Sequence, residues 1–409
     1  MIETIYRHTL FLVLFVPLIV SCQSSGVSQQ NNVIASNLLV GADSFKNSDD
    51  TPIHSIETPT EIFRLPKEEK DKLNLIVADY ESSLDSGKSL KESIQPLYDF
   101  ILSYADTGLL YENTATRTVS ETLNYGKANC LSLSILAYSL AEESGLEATF
   151  QDVDIPEFWT NELNQTWLNG HVNVRLKKYY QDYNNNAILK TIRYIVVDFD
   201  PYSRKKRFKT TDITKQRILA MFYNNKAAIA IAEKNYKQAY LYYTAAIEAD
   251  SKLAITWSNL GVLYRTHNLF QLAEQAYHYS LSLDPFSTNT MSNLAYLYQH
   301  IGKTSQAAEL ERIVQMKRKN NPYYFLMLGA EAFQQEKFKE SIKYYKTALI
   351  LDNDNHDAYF GLAKNYVLLN ELTLAKRFIN KAKTHTTSIE NKMNYQRKLS
   401  ILNQLAKAH

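Results

Sequence analysis

AITWSNLGVLYRTHNLFQLAEQAYHYSLSLDP, residues 254–285, is the most patterned stretch of the chain. Large side chains stand at Trp257, Leu260, Tyr264 and Tyr277, and small ones at Gly261 and Ala273. With Ala254 as position 1, the large residues fall at 4, 7, 11 and 24, the small ones at 8 and 20, and Pro285 at 32. A step of 34 residues forward finds Met291, Leu294, Ala295, Tyr298 and Ala307 in register, and a step back finds Tyr223, Ala227, Ala239, Tyr243 and Ala246. Weaker copies begin near Pro322, with Phe325, Leu328, Gly329 and Ala348, and near His356, with Tyr359, Leu362, Ala363, Tyr366, Ala375 and Ala382. A fixed period of this length marks an array of stacked units.

The pattern resembles the tetratricopeptide repeat over about five units, residues 220–389. That resemblance implies two antiparallel helices per unit. Small residues let the helices approach closely, and large ones fill the spaces between them. One unit cannot bury its own apolar face, so neighbours stack into a solenoid. The implied partner is a protein or peptide on the concave face. Residues 390–409 read as an amphipathic capping helix with Met393, Tyr395, Leu399, Leu402 and Leu405 on its apolar side. His267, His278, His300 and His356 fall within the array and read as packing or surface histidines.

Composition agrees with a largely helical protein. Among 409 residues there are only 11 Gly and 9 Pro, well below average usage of about 7% and 5%. Lys and Arg number 45 against 43 Asp and Glu, so the net charge is +2. No basic excess points to nucleic acid. The two cysteines, Cys22 and Cys130, exclude a disulfide framework.

Residues 1–22 read as an address. A polar start with Arg7 precedes an apolar run from Leu10 to Val20, too short for a transmembrane helix and of signal-peptide length. It ends Ile19-Val20-Ser21-Cys22, which resembles the lipobox of bacterial lipoproteins. The resemblance implies a lipid on Cys22 and, with Gln23 rather than Asp next, an outer-membrane location facing the periplasm. Residues 23–60 are rich in Ser, Asn, Gln and Thr without periodicity and read as a flexible tether. In an oxidising compartment Cys130 would then be a lone thiol, either buried or kept for its reactivity.

The candidate chemistry lies in residues 61–215. Lys67–Ser86 and Ser89–Tyr104 have helical periodicity, and Thr118-Val119-Ser120-Glu121 is a capping box. Cys130 to Ser144 reads as a helix stopped at Gly145, with the thiol in its first turn, where a helix N-terminus favours thiolate. Strands follow: Ala148–Val153, then Asn169–Leu176 with His171, Asn173 and Arg175 on one face. A polar turn at Tyr179–Ala187 leads to Ile192–Phe199, and the last two strands read as a hairpin. Trp159 and Trp167 flank the loop before His171, either lining a groove or anchoring the loop. No phosphate-binding glycine loop and no metal-ligand spacing is present, so no cofactor or metal is expected.

The order Cys, His, Asp resembles the transglutaminase-like superfamily, which shares its plan with papain-type cysteine proteases. The matching pieces are Gly126 to Cys130, Gly170-His171-Val172 and Val197-Asp198, spaced by 41 and 27 residues. The resemblance implies an α+β domain, a Cys-bearing helix packed on an antiparallel sheet, ahead of the all-α solenoid. It also implies catalytic roles: Cys130 as nucleophile, His171 as proton carrier and Asp198 as its orienter. Asp200, in Asp200-Pro201, is the alternative acid, because it shares strand parity with Asp198. The Cys130 N–H is the expected oxyanion donor, with Gln151 as a possible side-chain helper. Two functions follow: a lipid-anchored thiol acyl-transfer enzyme, or a catalytically silent scaffold for an envelope assembly.

Overall fold

The computed structural model describes residues 37–45, 52–84, 99–100, 110–162, 165–182, 189–199, 208–386 and 389–408. Every helix and strand named here belongs to the unit Gly41–His409; of the other unit, Met1–Val40, residues 37–40 are described. Cys22, the signal-peptide reading and Asp200 lie outside the described residues, as does most of the expected helix Ser89–Tyr104.

Two helices lead in, α1 (Pro59–Phe63) and α2 (Lys67–Leu84). Next come β1 (Leu110–Tyr111), α3 (Val119–Tyr125) and β2 (Lys127–Ala128), with β1 and β2 paired in parallel. Thr118 and Glu121 form the expected capping box, and Gly126 ends α3 at φ 64°. The Cys-bearing helix α4 (Cys130–Glu143) ends at Ser144, with Gly145 at φ 70° behind it. Both glycines hold a left-handed conformation in which a Cβ would be strained.

The strands are β3 (Glu147–Val153), β4 (Phe158–Glu162), β5 (Gln165–Asn169), β6 (Val172–Asp182), β7 (Leu189–Val197) and β8 (Thr210–Ile213). Four of them form an antiparallel sheet in the order β7-β6-β3-β8. Helix α4 packs on β3 and β6. Its core residues Leu133, Leu136, Ala137 and Leu140 are buried together with Phe150, Val172, Val174, Leu176 and Val197. Two strands differ from the sequence reading. Asn169–Leu176 is not one strand: the chain breaks at Gly170-His171 and leaves β5 to pair with β4 in a separate hairpin. The polar region Tyr179–Ala187 holds the end of β6 through Asp182, so cross-strand pairing overrides its turn-like composition.

The C-terminal half is a tetratricopeptide-type array of five helix pairs. They are α5 (Lys215–Ala232) with α6 (Tyr236–Ala249), α7 (Ala254–Thr266) with α8 (Phe270–Leu283), and α9 (Thr288–His300) with α10 (Thr304–Arg318). After them come α11 (Pro322–Gln334) with α12 (Phe338–Leu351), and α13 (His356–Leu368) with α14 (Leu372–His385). Helix α15 (Ile389–Ala408) closes the stack with Tyr395, Leu399 and Leu402 buried, while Met393 is exposed. The period explains the fit. Gly261 faces the ring of Tyr277, where an added Cβ would sit 2.7 Å from a ring carbon.

One junction is different. Packing between successive pairs is sparse only from α9–α10 to α11–α12. Position 24 carries Tyr243, Tyr277 and Tyr345 in other units and the exposed Glu311 in this one. Without a ring there, α10 offers no large apolar side chain at this position to the next pair. The last two pairs and α15 share a core of their own, running from Tyr345 to Leu402.

Residues 42–45 and 52–58 of the expected tether are docked on the first repeat. Phe45 stacks on Tyr240 at 4.8 Å, and the His54 N–H donates to Gln238 Oε1 at 2.7 Å. Glu57 receives the hydroxyl of Tyr242 at 2.9 Å and pairs with Lys226 at 3.0 Å. This segment is a strap rather than a free linker. Its contacts are isolated side-chain and backbone groups, which leave no period in the sequence.

Candidate active site

Asn129 places the thiol. It is the N-cap of α4, and its Oδ1 accepts the Ser132 N–H at 3.0 Å. Its Nδ2 donates to Thr116 Oγ1 at 2.7 Å and to the Asn113 carbonyl at 3.1 Å. Ser132 completes the bolt: its hydroxyl donates to the Ala115 carbonyl and accepts the Arg117 N–H. The first turn of α4 is thereby fixed to residues 113–117. Cys130 is its first residue, buried at 9% exposure, with Sγ 3.7 Å from the Gly170 carbonyl. Its N–H belongs to the helix end that has no intrahelical acceptor.

His171 follows Gly170 at the break between β5 and β6 and is 4% exposed. Its Nε2 lies 2.9 Å from Asp198 Oδ1. The other carboxylate oxygen, Oδ2, accepts from Asn173 Nδ2 at 3.1 Å. The Cys130 thiol lies against the carbonyl of Gly170, the residue directly before His171. Burial pulls the His171 pKa down, but hydrogen bonds to Asp198 and Cys130, with their charges, outweigh it and lift the pKa to about 10. The imidazolium is therefore the form present at neutral pH. The sign for stability follows: this contribution is complete below the ordinary value of 6.5 and is lost as pH rises through about 10.

Of the residues singled out by sequence, the structure brings Cys130, His171 and Asp198 together. It does not bring Gln151 to them as a donor. The Gln151 amide nitrogen spends its two hydrogens on Thr210 Oγ1 at 3.3 Å and Asp212 Oδ1 at 2.9 Å. Of the two donors expected from the sequence, the Cys130 N–H is the one that stands at the start of α4 beside the thiol. The sequence reading missed the task of Asn173, which holds Asp198 in place. Its signal was parity: it stands two residues from His171 on the same strand face. Trp159 and Trp167 lie on the β4–β5 hairpin, and Trp159 anchors it to the array beneath the Arg318 guanidinium at 4.7 Å. Among the described residues, no group of three or more His, Cys, Asp or Glu side chains is placed to hold a metal ion. No described helix is long and apolar enough to cross a membrane.

By sequence, no known family and no curated protein matches this chain. Several solved structures are similar to less than half of it. YrrB, a tetratricopeptide protein with an unusual peptide-binding site, is 15% identical, covers 44% of this chain and 92% of its own, and has a TM-score of 0.25. PilF of Pseudomonas aeruginosa is 16% identical over 47% of this chain and 87% of its own, at a TM-score of 0.29. PilW, a type IV pilus biogenesis factor, is 18% identical over 46% and 88%, also at 0.29.

Proposed function

We propose that this protein is a lipid-anchored, periplasm-facing thiol acyl-transfer enzyme of transglutaminase-like type, whose repeat array binds a protein partner or substrate. One observation carries the reading. A buried imidazole 2.9 Å from a carboxylate directly follows the Gly170 carbonyl that the helix-start thiol contacts at 3.7 Å. In the reaction, the Cys130 thiolate attacks an amide or ester carbonyl carbon and forms a C–S bond. The carbonyl electrons go to oxygen, where the Cys130 N–H stabilises them. As the C–N or C–O bond breaks, the imidazolium of His171 protonates the leaving group. Neutral His171 then takes a proton from water or an amine, which attacks the thioester and regenerates the thiol. Asp198, held by Asn173, keeps the ring in the tautomer and orientation that both halves need.

Alkylation tests it directly. The sample is the full chain in detergent with Cys22→Ser, so that Cys130 is the single cysteine. Iodoacetamide is expected to label folded protein rapidly at pH 6, where an ordinary thiol with a pKa near 8.5 is almost all protonated. His171→Ala is expected to slow that labelling at least ~tenfold, because the opposite charge on the ring is gone. A thiol that reacts only after unfolding would leave the second reading, a silent scaffold. The burial of Cys130, His171 and Asp198 is the observation that favours it. The anchor has its own test: the full chain is expected to take up labelled palmitate in a bacterial host, and Cys22→Ser to remove the label. Label that persists in the variant overturns the lipobox reading.

A further inference from the structure

The β4–β5 hairpin reaches out of the sheet domain into the loose seam of the array. Glu157, just before β4, accepts from Arg318 Nε at 2.8 Å and from its Nη2 at 3.1 Å. Arg318 ends α10, is 5% exposed, and spends Nη1 on Ser292 of α9. Thr288, at the start of α9, donates its hydroxyl to the same carboxylate. On the far side of the seam, Asn321 Nδ2 donates to the Glu157 carbonyl at 2.7 Å, Phe158 meets Tyr323, and Trp159 meets Tyr324. A single segment thus holds both lips of the junction that the array itself leaves sparsely packed. A planar, bidentate Arg–carboxylate pair, its guanidinium buried and its carboxylate half-buried, fixes geometry as well as charge.

The hairpin leads straight to the thiol site. β5 ends at Asn169, two residues before His171. Asn169 Nδ2 donates to Thr160 Oγ1 at 3.1 Å, and Asn113 Nδ2 approaches the same hydroxyl at 3.5 Å. Asn113 in turn holds the N-cap Asn129 through its carbonyl. The Gly170 carbonyl, between hairpin and His171, receives the thiol itself. The hairpin backbone therefore runs from Glu157, held by Arg318, to Asn169 two residues before His171, and Thr160 ties it through Asn113 to the N-cap of the nucleophile helix.

We infer that Glu157 and Arg318 are positioning residues for the Cys130 reaction, and that the repeat array sets the geometry of the thiol site through this clamp. The array is on this view more than a docking platform. Its seam is where bending, by a bound protein for example, changes the wall that carries His171. The inference rests on the acyl-transfer reading.

The test uses the full chain with Cys22→Ser and iodoacetamide as probe, with hydrogen exchange of residues 158–169 read in parallel. Glu157→Gln and Arg318→Met are expected to raise exchange in the hairpin and to slow Cys130 alkylation ~tenfold, since small misplacements are costly in such sites. In a His171→Ala background the same changes are expected to slow it less than ~twofold, because the effect passes through the imidazole. A purely structural role would slow both backgrounds alike, and that result overturns the inference. Unchanged exchange overturns it, because the pair then does not hold the hairpin. Raised exchange with unchanged or faster alkylation also overturns it, while leaving the acyl-transfer reading intact. A parent thiol that reacts only on unfolding defeats both. Should the single variants fail to fold, Glu157→Leu with Arg318→Met removes both charges together and serves the same comparison.

Discussion

Cys130→Ala abolishes acyl transfer, with an expected loss on the order of 10⁶-fold in turnover, as for removal of a triad nucleophile. The reason is covalent. Without sulfur no thioester forms, and the remaining groups offer only the Cys130-position N–H and substrate binding. The fold is expected to survive, with stability within about 1 kcal/mol of the parent. The α4 cap through Asn129 and the His171–Asp198 bond at 2.9 Å do not involve the sulfur. The measurement is mass-spectrometric trapping of an acyl-enzyme with an activated ester, alongside thermal unfolding. An adduct of equal yield in the alanine variant would place the nucleophile elsewhere. Wild-type stability with no adduct is the expected pair of results.

Gly361→Val unfolds the last part of the array and leaves the first three pairs intact. The Tyr345 ring is wedged between Gly329 and Gly361, and it is 3% exposed. A Cβ at Gly329 would stand 3.0 Å from the ring, and one at Gly361 would collide with it outright. The ring sits in the core shared by the last two pairs and α15, so it has nowhere to retreat. Overpacking of this kind costs about 3 kcal/mol. Repeat arrays distribute stability between neighbours, and a weak interface uncouples them. Hydrogen exchange is therefore expected to rise across residues 322–408 and to stay low across 215–318. Equal loosening of both stretches would show that the seam at Glu311 does not divide the array.

The array was legible because its constraint is periodic. Trp257, Gly261, Tyr264 and Tyr277 each repeat a steric requirement every 34 residues, and local rules placed the Thr118 cap and the Gly145 stop. The same period contained the signal for the seam, since Glu311 stands where the other units carry a large apolar side chain, and it went unread because one polar residue breaks no helix. In the sheet domain, the order Cys130, His171, Asp198 pointed to three residues that the fold does assemble. Gln151 was misjudged because strand parity says which face a side chain takes but not which neighbour claims its amide.

By itself, then, the sequence determined the helical array, the start of α4 at Cys130 and the order of the three site residues. These follow from interactions within one helix, one turn or one repeat. The tertiary structure alone decided that His171 meets Asp198, that Cys130 meets the Gly170 carbonyl, that residues 42–45 and 52–58 strap the first repeat, and that Glu157 crosses to Arg318 over a separation of 161 residues. Such contacts join elements far apart in the chain. Their geometry depends on how the whole set packs, and no local pattern of residues records it.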